Sequence, residues 1–110
     1  MSNGYLAAAS ADLDAARDLA DGFGLDATTA SSWSDTNTAA AALGGAANLG
    51  LILSHAATRD AAYVALLQKL STRPQGAQLI LIDADARAVF GYLPTTWPAM
   101  SYEEALRRSN

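Results

Sequence analysis

Between positions 6 and 23 apolar residues return every three or four places: Leu6, Ala9, Leu13, Ala16, Ala20 and Phe23. Asp12, Asp14, Asp18 and Asp21 fall mainly off that stripe, so the spacing predicts an amphipathic helix. A later start would put Ser10 at the N-cap with Asp12 and Asp14 in the favourable first turn. Gly22 and Gly24 end it, because glycine takes the left-handed C-cap conformation without steric cost. Positions 25–37 are dense in Asp, Ser, Thr and Asn, which favour turns, and Trp33 stands alone among them. Asn37 or Thr38 then opens a second helix reaching about Ala57. Gly44, Gly45 and Gly50 interrupt it at a cost of about 1 kcal/mol each relative to alanine. The four-residue steps from Ala42 through Ala46 and Gly50 to Ser54 suggest a reason, a helix-packing ridge of small residues along which another backbone can come close.

Thr58, Arg59 and Asp60 mark a kink or a fresh start, after which Ala62, Tyr63, Leu66, Leu67 and Leu70 keep helical period. Pro74 and Gly76 break the pattern. Leu79, Ile80, Leu81 and Ile82 form a continuous apolar run, and positions 88–93 favour strand, so a β-hairpin is expected over about 78–93 with its turn near Asp83 to Arg87. Pro94 and Pro98 forbid regular structure around Trp97. Ser101 with Glu104 three places on is a capping box that starts a short C-terminal helix. These elements sum to an α+β domain, mainly helical: three helical segments, the hairpin and the final helix, in one domain over 1–110. The alternative is an all-α bundle in which positions 79–93 are helical.

Length and composition narrow the picture. One core fits 110 residues, and because 26 of them are alanine the bulky apolar set is thin. Charge is uneven: positions 1–55 carry six acids and one base, positions 56–110 five acids and six bases, for a net −4. The only clustered cations are Arg107 and Arg108, which argues against a nucleic-acid partner. With no cysteine, disulfides, thiolate metal sites and thiol nucleophiles are excluded. The first ten residues lack a basic region before their apolar residues, so no signal peptide is expected. Positions 36–58 are uncharged and long enough to span a bilayer. Their alanine, glycine and polar content nevertheless makes a membrane location the weaker reading.

Little in the chain points to catalysis. His55 is the only histidine, so no histidine pair can be built within one chain, and no G-x-S-x-G elbow accompanies Ser54 or Ser71. Asp14, Asp18 and Asp21 line one side of the first helix but lack a calcium-loop pattern, and the glycines of LGGAANLG are not followed by the lysine of a phosphate loop. The run LILIDADAR resembles, over nine residues, the nucleophile strand of haloacid dehalogenase-like phosphatases, which implies Asp83 as nucleophile and Asp85 as acid and base. The pattern departs at Ala86 and Arg87, and the 25 residues after Asp85 are too few for the further βα units of that family. The preferred reading is a turn whose aspartates accept backbone hydrogen bonds.

Four aromatics, Phe90, Tyr92, Trp97 and Tyr102, crowd together with two prolines, the composition of an interface hot spot, with burial of the rings, Trp97 among them, over the domain's own core as the equal alternative. The expected function is therefore a non-enzymatic interaction or assembly subunit. It would dock on a larger complex or self-associate, in the cytoplasm or as a virion component, with bacteriophage particles one natural setting. Its partner is expected to be protein, through Phe90, Tyr92, Trp97 and Tyr102, with no cofactor, metal or small-molecule substrate. The alternatives are an acidic regulator or inhibitor masking a basic surface with the first helix, and a membrane-active small protein using positions 36–58.

Overall fold

Leu6, Ala7, Ala8 and Ala9 are completely buried, and the chain through Gly4–Ala7 runs as a strand, β1, where the apolar spacing had pointed to helix. The computed structural model describes residues 4–109. Four further strands, β2 (Asp26–Thr28), β3 (Asn48–Leu53), β4 (Gln78–Leu81) and β5 (Ala99–Ser101), join β1 in one sheet of order β2-β1-β3-β4-β5. Every pairing is parallel. Helices α1 (Leu13–Phe23), α2 (Thr36–Gly44), α3 (Ala61–Leu70), the single turn α4 (Ala86–Val89) and α5 (Tyr102–Ser109) connect or follow the strands.

The fold is thus α/β with a parallel sheet, which corrects both the mainly helical α+β expectation and the all-α alternative. The physical reason lies in burial on both faces. A central parallel strand is covered by helices above and below, so it loses polar alternation and reads as a continuous apolar run. In β3, Leu49, Leu51 and Leu53 enter the core shared with α2 and α3, while Ile52 enters the core shared with α1 and α5. What read as one helix over about 38–57 is therefore α2, a turn and β3. Ala42 lies on α2, Ala46 in the following turn, Gly50 in β3 and Ser54 just past its end, so they form no common helix ridge. The hairpin over about 78–93 is corrected in the same way. Positions 79–81 pair with β3 and β5, while positions 86–93 wind through α4 and a turn that drive Phe90 and Leu93 into the core.

Two local signals that needed no tertiary context were right, the stop at Gly24 and the capping serine at Ser101, while the kink-or-fresh-start reading at Asp60 resolves into a helix cap. Gly24 closes α1 at φ 69°, and the Leu25 amide reaches back to the Ala20 carbonyl at 2.9 Å. Asp60 caps α3 by accepting from the Tyr63 amide at 3.1 Å, and Ser101 accepts from the Glu104 amide at 3.1 Å at the head of α5. The second helix begins one or two residues before the expected cap, since Asp35 accepts from the Thr38 amide at 2.7 Å. No helix among the described residues is long and apolar enough to cross a membrane.

Candidate functional site

In an open parallel sheet of this order, strand succession reverses between β1 and β3, and ligands characteristically sit beyond the carboxyl ends of the strands there. Here the polar side chains around that crevice are hydrogen-bonded within the chain. The Ser54 hydroxyl donates to Asp12 Oδ2 while accepting from the Ala57 amide at 3.1 Å. Asp60 accepts from the Ser10 amide at 3.0 Å in addition to capping α3. Asp83 accepts from the His55 amide at 2.7 Å, and His55 Nε2 meets Asp85 Oδ1 at 2.6 Å in an exposed pair. Asp83 and Asp85 thus anchor the loop after β3, a structural use of the turn aspartates. Below them Tyr63 is fully buried, its hydroxyl pointing at the carbonyls of Ala7 (3.1 Å) and Ile52 (2.7 Å). Among the described residues no group of three histidine or acidic side chains could hold a metal ion.

The four aromatics expected to bind a partner do not form one patch. Phe90 and Trp97 are buried, 2% and 6% exposed, in the core beneath α2 and α3. Tyr102 packs with the opposite core, and its hydroxyl is 3.4 Å from the Ala15 carbonyl of α1. Only Tyr92 is substantially exposed, at 40%, with its ring edge-on to Phe90 at 6.2 Å. Its neighbour in exposure is Val89 at 48%, a residue the sequence did not single out. Arg87 explains why this segment holds its shape: its guanidinium donates to the carbonyls of Pro94 (3.2 Å), Thr95 (2.8 Å) and Trp97 (2.8 Å). A lone cation just ahead of a proline-broken stretch, whose carbonyls cannot all find helix or sheet partners, was the available signal for that role.

At the opposite, amino-terminal edge of the sheet lies a groove of about 780 Å³. It crosses the starts of β3 and β4 at Asn48 and Gln78, with Phe23, Met100 and Arg108 towards the α1 and α5 side and Trp97 and Arg73 on the other. Arg73 is itself buried, and its guanidinium is spent on the carbonyls of Leu43, Ala46 and Gly76 at 2.7, 3.1 and 2.8 Å, which ties the end of α2 to the approach to β4. Burial pulls its pKa below the ordinary arginine value. Gly76, at φ 75°, lets the Trp97 ring lie against the backbone: a Cβ there would stand 3.2 Å from Trp97 Cδ1. No protein family model, curated protein or solved structure matches the chain.

Proposed function

We propose that the protein is a non-enzymatic interaction or assembly subunit, in the cytoplasm or within a virion, that docks on another protein through the segment following β4. The observation that carries this reading is the rigid presentation of Val89 and Tyr92. Arg87 straps the segment from one side, while Phe90, Leu93 and Trp97 plug it into the core from the other. Two apolar side chains held this way lose little freedom on binding, which is what makes an efficient anchor. The internally satisfied switch-point crevice supports a role other than catalysis.

Placing a photo-crosslinking amino acid at position 92 in the producing cell is expected to give adducts with one defined chain, or with a second copy of the protein. The same group at exposed Arg17 should not. Val89→Asp is expected to abolish the adduct while leaving the thermal transition intact. Equal adducts from both positions, or none from position 92, would reject the proposal. Trp97→Ala belongs to a different class here, since removing a buried tryptophan is expected to cost about 3–5 kcal/mol of stability.

A second reading is favoured by a separate observation. Asp14, Asp18 and Asp21 are all exposed on α1, and among the described residues their one ion pair is the loose Asp14–Arg17 contact at 3.7 Å. This acidic face supports a regulator that covers a basic surface, and binding that fades with salt would favour it over docking at Tyr92.

A further inference from the structure

We draw no further inference here: the strongest candidate, the exposed apolar side chains Ile82, Val89 and Tyr92 of the segment after β4, belongs to the docking surface already described, and nothing in the structure shows what covers it.

Discussion

Tyr63 shows how much one side chain can hold in a fold with so few bulky residues. It stands on the first turn of α3, yet its hydroxyl reaches carbonyls on β1 and β3, the two strands that flank the switch point. Burial pushes its pKa well above the usual 10.0, and the charges of Asp12, Tyr92 and Asp60 add to that direction, against the opposing hydrogen bond at Ile52. The folded chain therefore keeps this proton at pH values where the unfolded chain loses it. Stability from this source is complete below about pH 10 and declines as pH rises beyond it. Tyr63→Phe is expected to cost about 1–2 kcal/mol at neutral pH through the lost hydrogen bonds. It should also flatten the alkaline decline, leaving the part owed to Tyr92 and Tyr102, which burial likewise pushes up. Urea unfolding at pH 7 and pH 10.5 measures both effects.

Among the elements, β3 carries the sharpest test. If positions 42–54 lay on one helix, Ala46→Leu and Gly50→Leu would be about equally harmful. In the sheet they are not equivalent, because Gly50 sits beside Leu6 in the centre while Ala46 lies half-exposed in a turn. Gly50→Leu is expected to lose about 1–3 kcal/mol by overpacking, and Ala46→Leu to stay within about 0.5 kcal/mol. Equal losses in thermal unfolding would contradict the strand. The same contrast explains what could be read from the residues. The cap at Ser101 and the stop at Gly24 are set by neighbours in the chain, so they were legible. Helix and strand were confused where alanine and glycine fill both, as in LGLIL and LAAA, since a doubly buried strand has no polar face to set its period. The sequence marked the aromatic segment as a candidate interface, yet Phe90 and Trp97 are buried in the core. Which of its rings face outward depended on Arg87 and on the plugging of the core, and neither is a local property.

For the whole molecule, the two cores differ in how they are closed. The larger one is capped by neighbours in sequence, α2 and α3 beside β3 and β4. The smaller one joins the two ends of the described chain: Ala16, Leu19 and Ala20 of α1 meet Ala105 of α5 over Leu6, Ile52 and Ile80. Ending the chain after Ser101 is expected to remove the cooperative thermal transition and expose a surface that binds an apolar dye. A sharp transition within a few degrees of the full chain would show that α1 covers its face unaided.

The meeting of α1 with α5, close enough that a side chain on Gly22 would strike the backbone of Ser109, also sets a timetable for the ribosome. The first helix to emerge waits for the last one, roughly 80 residues later. At about 5–20 residues per second that interval is on the order of 4–16 s. Throughout it the core around Leu6 and Leu19 lacks the cover of Ala105, and transiently exposed apolar surface of that kind is what makes a nascent chain prone to aggregate.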